Sequence, residues 1–318
     1  MSEIQLLVHK IKEGYEIEKG EAMALAELPN DELSAIAGAL QQLHHDRRFE
    51  FCAIINAKSG VCSENCTFCA QSGWYRTGAG NYELIGGDQI FNSASICADK
   101  GVKRFSIVTS GRKLNGREIT RVCEAVGRIR DNLDIGLCAS IGFVTDDDLV
   151  ALKNAGVTRI HNNLESSRRY FSQICSSHSY DDKLAAIARA RNHGMEICSG
   201  GIIGLGETWA DRIDLALEVR GIGAVSMPIN ILHPIKGTPL EHAAILSQAE
   251  VEKTVALMRI INPGITIRMA GGRKLLSDNG KGCFLSGANA AITGDMLTTS
   301  GSSIDEDVRL IQSIHYEI

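Results

Sequence analysis

The chain has 318 residues, 44% of them apolar and 22% charged, with a formal net charge of −5. That is apolar material enough for one α/β-barrel-sized domain, and the acidic balance leaves no basic footprint for nucleic acid. No apolar run approaches a membrane span, and the opening Met-Ser-Glu-Ile-Gln-Leu-Leu-Val-His-Lys does not read as a signal peptide. Residues 1–49 read as a helical lead-in, with Leu6, Leu7 and Ile11, then Leu33, Ile36, Ala37, Leu40 and Leu43, at helical spacing. Asn30 and Asp31 after Pro29 mark the start of the second long helix.

From residue 50 the pattern changes to short β-rich runs alternating with amphipathic helices. The expected strands are Cys52–Asn56, Arg104–Thr109, Ile135–Ser140, Thr158–Leu164, Glu196–Ile203, Ala224–Leu232, Ile265–Met269 and Ala290–Thr293. Helices are expected near 88–100, 116–131, 145–155, 181–193, 207–220, 247–261 and 304–316, with a further helical piece before the last strand. Eight strand–helix units predict a parallel sheet closed as a (β/α)8 TIM-type barrel over residues 50–318, against the alternative of an open doubly wound sheet.

The most informative segment is Val61-Cys-Ser-Glu-Asn-Cys-Thr-Phe-Cys, a C-x3-C-x2-C triplet of Cys62, Cys66 and Cys69. Three thiolates on one loop can hold three irons of a [4Fe–4S] cube and leave the fourth open, whereas Fe–S clusters normally take four Cys. Zinc would want a second hook, and the sequence offers none nearby. The triplet follows an expected strand by a few residues, where barrel active sites gather. With ten cysteines and a large core, the thiols are expected in a reducing cytoplasm and not in a disulfide scaffold.

Alternation places His161, Asn163 and Glu165 on one strand face, and so many polar groups at a barrel mouth call for a ligand. Cys138 and Cys198 hold similar places on two other strands, and Arg268 is a cation in an apolar strand. The Gly200-Gly-Ile-Ile-Gly-Leu-Gly stretch suits close backbone approach to a ligand, although it lacks the dinucleotide fingerprint. Cys52, Cys97 and Cys123 sit in apolar runs and read as core, while Cys175 and Cys283 remain open to a ligand role.

The triplet, with Phe68 before its last Cys, resembles the radical S-adenosylmethionine (SAM) superfamily. Further segments are similar to the biotin synthase family: His161-Asn-Asn-Leu-Glu, Cys198-Ser-Gly-Gly-Ile-Ile-Gly-Leu-Gly-Glu-Thr, Pro228-Ile-Asn-Ile-Leu-His-Pro-Ile-Lys-Gly-Thr-Pro-Leu and Gly287-Ala-Asn-Ala. The resemblance implies a homodimeric barrel enzyme, a sulfurtransferase, that converts dethiobiotin to biotin. It implies SAM, a [4Fe–4S] cluster and an auxiliary [2Fe–2S] cluster as cofactors, and an electron donor such as flavodoxin or ferredoxin. Carried over by position, Cys62, Cys66 and Cys69 hold the cube. Asn163, Glu165, Lys183, Asn230 and the glycines Gly200, Gly201, Gly204 and Gly206 serve SAM and substrate. Cys138, Cys198 and Arg268 fall on three of the four auxiliary-cluster places.

On the fourth place stands Ser106, a far poorer iron ligand than a thiolate. Three further departures are His161 for Asn, Glu165 for Asp and Lys183 for Arg. Ser106 can mean a weakly held cluster, a cluster of different nuclearity that recruits Cys175, or no auxiliary cluster at all. The sequence reading favours Cys175. The rival activities are a rearrangement or cofactor-maturation reaction without sulfur insertion, and, outside enzymes, an iron–sulfur carrier.

Overall fold

A computed structural model describes residues 3–318; Met1 and Ser2, at the start of the expected lead-in, lie outside the described residues. Three helices come first: α1 (Glu3–Lys12), α2 (Lys19–Leu25) and α3 (Asn30–His45). The alternating part follows as β1 (Glu50–Lys58), α4 (Gly87–Asp99), β2 (Arg104–Thr109), α5 (Gly116–Asn132), β3 (Gly136–Ser140), α6 (Asp146–Ala155) and β4 (Arg159–His161). Then come α7 (Arg168–Ile174), α8 (Tyr180–Asn192), β5 (Glu196–Cys198), β6 (Gly201–Ile203), α9 (Trp209–Gly221), β7 (Ser226–Ile231) and α10 (Gln248–Ile261). The chain ends with β8 (Thr266–Met269), a 3-10 turn at Arg273–Leu275, α11 (Lys281–Leu285), β9 (Ala290–Thr293) and α12 (Ile304–Ser313).

All strand pairings in the sheet are parallel, in the order β5-β4-β3-β2-β1-β9-β8-β7-β6, and Cys198 of β5 pairs with Ser226 of β7 to close the barrel. The nine segments make eight staves, because the strand expected over 196–203 is broken into β5 and β6. Sterics explain the break. A Cβ on Gly200 would lie 2.0 Å from the Pro228 carbonyl oxygen, and one on Gly201 2.4 Å from that of Glu165. The stave therefore steps past both neighbours where only glycine fits. The strand expected over 158–164 ends early, at His161, and Glu165 turns the chain with φ at 68°.

Outward side chains such as Phe51, Phe105, Ile107, Leu137, Ile197 and Ile267 are buried beneath the helices and form the main core. Thr145, Ser179 and Thr208 each accept a hydrogen bond from the third helical N–H of α6, α8 and α9, which fixes where these helices start. The helix α7, unexpected from periodicity, is seven residues long and is capped by the Ser167 hydroxyl. The lead-in packs α3 on α10 and α2 on α9.

The last helix is clamped by a buried ion pair. Arg273 donates to both Asp307 carboxylate oxygens at 2.8 and 2.7 Å, and the side chains are only 3% and 1% exposed. Removing one partner strands a buried charge, so Arg273→Ala is expected to cost about 3–5 kcal/mol. Its guanidinium unfolding midpoint should fall accordingly; an unchanged midpoint would show that the clamp is not stabilising.

Candidate iron–sulfur and cofactor site

Inward side chains and the loops after the strands enclose one cavity of about 430 Å³. That size suits a small-molecule ligand, and the cavity opens at the strands' C-terminal ends, where barrel chemistry sits. Its lining falls into three tiers along the staves.

The upper tier is the triplet. Cys62, Cys66 and Cys69 all line the cavity. Their loop is pinned by its own polar residues: Asn65 Oδ1 accepts from the Ser176 and Ser177 N–H groups at 3.0 Å each, and the Thr67 N–H donates to the Ile174 carbonyl. Glu64, buried beside it, accepts from Ser177 Oγ, from Arg112 and from His178. Among the described residues the one trio of Cys, His or acidic ligand atoms within 4.8 Å of one another is Cys66, Cys175 and His178, so the three triplet thiols are spread wider than a single ion requires. Burial pushes Cys69 up to about 11, and a hydrogen bond to Cys175, together with burial, pushes Cys66 up. Both stay protonated until a metal displaces the proton.

The middle tier binds the sequence-predicted polar groups together. Asn163 Oδ1 accepts from the Gly200 N–H at 3.1 Å, and its amide donates to Glu165 at 3.3 Å. Asn230 donates to the Gly201 carbonyl and accepts from the Gly271 N–H, tying β6, β7 and the turn after β8 into one rim. Lys183 reaches the cavity from α8 and donates to Asn162 at 3.3 Å. Gly200, Gly201, Gly204 and Gly206 lie outside the cavity lining, packed against Pro228, Glu165, Leu246 and Tyr170, and Ile202 is the residue of that stretch that reaches the cavity. Close backbone approach requires glycine at Gly200 and Gly201, and a left-handed φ of 93° and 104° favours it at Gly204 and Gly206.

The lower tier carries Cys138, Cys198 and Arg268, with Ser106 beside Cys138 across the β2–β3 pair. A fourth member went unseen in the sequence. Cys52, expected in the core, points inward from β1, and its thiol feels Arg268, Cys138 and Cys198 at once. Beneath lies a ring of ions. Arg268 donates to the Glu50 carboxylate, Arg159 donates to Glu196 at 2.9 Å, and Arg104 stands 3.9 Å from Glu50 and 4.0 Å from Glu196. Three guanidinium groups against two carboxylates leave the tier positive. Arg104 Nε in the lining is buried without a hydrogen-bond partner. Thiols under a positive surplus, with an unspent donor, fit an anionic thiolate-bound cluster.

Charge also separates the three thiols. Burial pushes Cys52 up to about 12 and Cys138 up to about 11, against the pull of Arg268 and Arg104 respectively. Burial acts most strongly on Cys198 too, but the His161 ring at 3.4 Å, Arg268 and Ser226 together outweigh it and bring that thiol down to about 7. In chain free of iron, His161→Asn should return Cys198 toward or above its ordinary 9.0. The wild type would then form this thiolate across the interval from about 7 to 9, and the variant would not, as read from thiolate ultraviolet absorbance against pH. Coincident titrations would remove His161 from the argument.

Two more expectations change. Cys175 does not join the lower tier; α7 and the turn after it carry its Sγ to 3.7 Å from Cys66 Sγ, at the upper one. Cys283, left open by the sequence, is fully buried in the core.

The model of the Radical SAM superfamily matches residues 57–219, and that of the Biotin and Thiamin Synthesis associated domain matches residues 228–317. The biotin synthase of Brachyspira hyodysenteriae is 49% identical over 312 residues, which are 98% of this chain and 94% of that protein. That of Clostridium botulinum (strain Langeland) is 48% identical over 318 residues, the full length of both. Among solved structures, methylornithine synthase superposes with a TM-score of 0.85 at 17% identity, over 98% of this chain and 96% of that one. A maturase of the [FeFe]-hydrogenase superposes with a TM-score of 0.82 at 18% identity, over 98% and 74%. At such identities these two show the barrel alone.

Proposed function

This chain belongs to the biotin synthase family of radical SAM enzymes, and on that premise we propose that its barrel holds two iron–sulfur clusters on two separate sets of thiolates. The reaction is the insertion of sulfur into dethiobiotin to give biotin. When bound, the [4Fe–4S] cluster with SAM supplies the radical that removes hydrogen from unactivated carbons, and the auxiliary cluster supplies sulfur. The polypeptide binds, orients and excludes water.

Cys62, Cys66 and Cys69 hold the first cluster. The rigid loop around Glu64 and Asn65 presents them to the mouth, and Asn163, Glu165 and Lys183 offer a carboxylate and a cation to the amino-acid end of SAM. Glu165 owes its aim to a left-handed backbone, a conformation costing of order 1 kcal/mol or more that ordinary loops avoid. Asn230, already spanning two staves, orients dethiobiotin between the tiers. In the lower tier Cys52, Cys138 and Cys198 supply three thiolates about Arg268, so Cys52 on β1 takes up the role that Ser106, one stave away, cannot fill. Apolar Ile54, Val108, Ile202 and Ile292 line the space around them and keep it dry.

The observation that carries this reading is the meeting of Cys52, Cys138, Cys198 and Arg268 in one cavity with the triplet. A rearrangement or maturation reaction without sulfur insertion gives that second thiol set no purpose. We further propose a homodimer and a small redox protein as electron donor, in line with the family. An anaerobic assay with dethiobiotin, SAM and a strong reductant tests the whole. Biotin should accumulate by mass spectrometry while acid-labile sulfide falls; 5′-deoxyadenosine without biotin would refute sulfur insertion.

A further inference from the structure

Cys175 and His178 have no part in either thiolate set, yet they sit against Cys66. Its Sγ is 3.7 Å from Cys175 Sγ, which in turn lies 3.3 and 3.8 Å from Nδ1 and Nε2 of His178. Tetrahedral geometry with metal–sulfur bonds of about 2.3 Å and metal–nitrogen bonds of about 2.0 Å sets S···S edges of about 3.8 Å and S···N edges of about 3.6 Å. The Cys66–Cys175 edge of 3.7 Å and the Cys175–Nε2 edge of 3.8 Å match these values, and one ligand atom from each of the three residues lies within 4.8 Å of the others. A [4Fe–4S] cube instead needs its thiolates spread around four irons, and Cys62 and Cys69 form no such close trio with Cys66.

The surroundings are those of a metal-binding imidazole. His178 Nδ1 is held at 2.6 Å by the Glu64 carboxylate, leaving Nε2 for a metal, and a carboxylate behind the ring raises ligand basicity. Glu64 is itself fixed by Arg112 at 3.2 Å and Ser177 at 2.8 Å. Cys175 and His178 are 5% and 8% exposed, and the rings of Phe143 and Phe171 flank the imidazole at 5.4 and 5.6 Å. Soft thiolates with one imidazole select thiophilic divalent ions over Mg²⁺ or Ca²⁺.

We propose that Cys66, Cys175 and His178 form a third metal site, which takes one thiophilic divalent cation, Fe²⁺ where iron is the ion supplied, in chain that carries no cube. Cys66 is shared, so occupancy of this site and of the completed cube exclude each other. An iron held here already has one of the three thiolates that the cube will use. The site is thus a holding place for the first iron during assembly, and it rests on the two-cluster reading only through Cys66.

The test uses full-length chain stripped of iron under anaerobic conditions, with Co²⁺ as the probe. One Co²⁺ should bind with thiolate-to-cobalt charge transfer and tetrahedral d–d bands. A Cys62→Ala/Cys69→Ala double variant should bind it equally well. In that background Cys175→Ser or His178→Gln should weaken binding more than about a hundredfold, and Glu64→Gln roughly tenfold, since outer partners of ligating His typically account for 10–100-fold. Melting curves check that each variant folds, and two ligand variants on different side chains guard against a local folding defect. Loss of Co²⁺ binding in the double variant, or binding indifferent to both Cys175→Ser and His178→Gln, would overturn the site. Biotin formation by the loaded enzyme is independent of either result.

Discussion

Alanine at Cys62, Cys66 or Cys69 is expected to cut biotin formation by more than about a thousandfold, because losing merely an outer partner of a metal ligand already costs 10–100-fold. Among the described residues, the spare thiol recorded beside the triplet is Cys175, and its contact is with Cys66. Release of 5′-deoxyadenosine should vanish together with biotin, and the chain should keep its melting temperature within a few degrees, since all three side chains are only partly buried. Quantified product by mass spectrometry checks the first part and calorimetry the second. A variant that still cleaves SAM at a tenth of the wild-type rate would mean that the triplet is not the cluster's anchor.

The second large effect separates the two tiers. Cys52→Ala should leave SAM cleavage in place while biotin falls at least about a hundredfold, with the iron and sulfide of one cluster lost and those of the other kept. Cys138→Ala and Cys198→Ala should behave alike. Ser106→Ala should change neither iron content nor rate by more than about twofold, because its hydroxyl is a poor iron ligand beside three thiolates. The contrast between Cys52 and Ser106 is the informative one. If Ser106→Ala empties the lower tier and Cys52→Ala does not, the serine is the ligand and Cys52 is packing. Arg268, tied to Glu50 beneath the thiols, should tolerate Lys poorly because only the planar fork spans both sides.

Much of this was legible in the amino-acid order, for definite reasons. Strands buried on both faces are β-branched and bounded by glycine or polar turns, so β2 and β9 were placed to the residue. The triplet was legible because its three ligands share one loop, whose spacing carries the chemistry. Cys52 was not, because Phe51-Cys-Ala-Ile-Ile is apolar throughout and alternation alone cannot tell the barrel's inside from its helix side. A signal did exist: Glu50 and Cys52 are in phase, and an acidic residue on a buried strand belongs with the ionic ring inside. Cys175 was misplaced for a related reason, since where a loop's tip lands depends on α7, a seven-residue helix without a clear period. The glycines of 200–206 were recognised as close-approach positions, but sequence cannot say whether a ligand or another strand does the approaching, and at Gly200 and Gly201 the neighbouring backbone does.

These particulars support the proposal of two clusters, each with its own thiolates, in one barrel. The most direct measurement is Mössbauer spectroscopy of anaerobically ⁵⁷Fe-reconstituted protein, comparing wild type with the Cys62→Ala/Cys66→Ala/Cys69→Ala variant, before and after adding SAM. The variant should retain one iron–sulfur cluster whose spectrum ignores SAM, and the wild type should show that signal plus a second one that SAM perturbs. A variant devoid of cluster iron, or a wild type with a single cluster signal, would contradict the account.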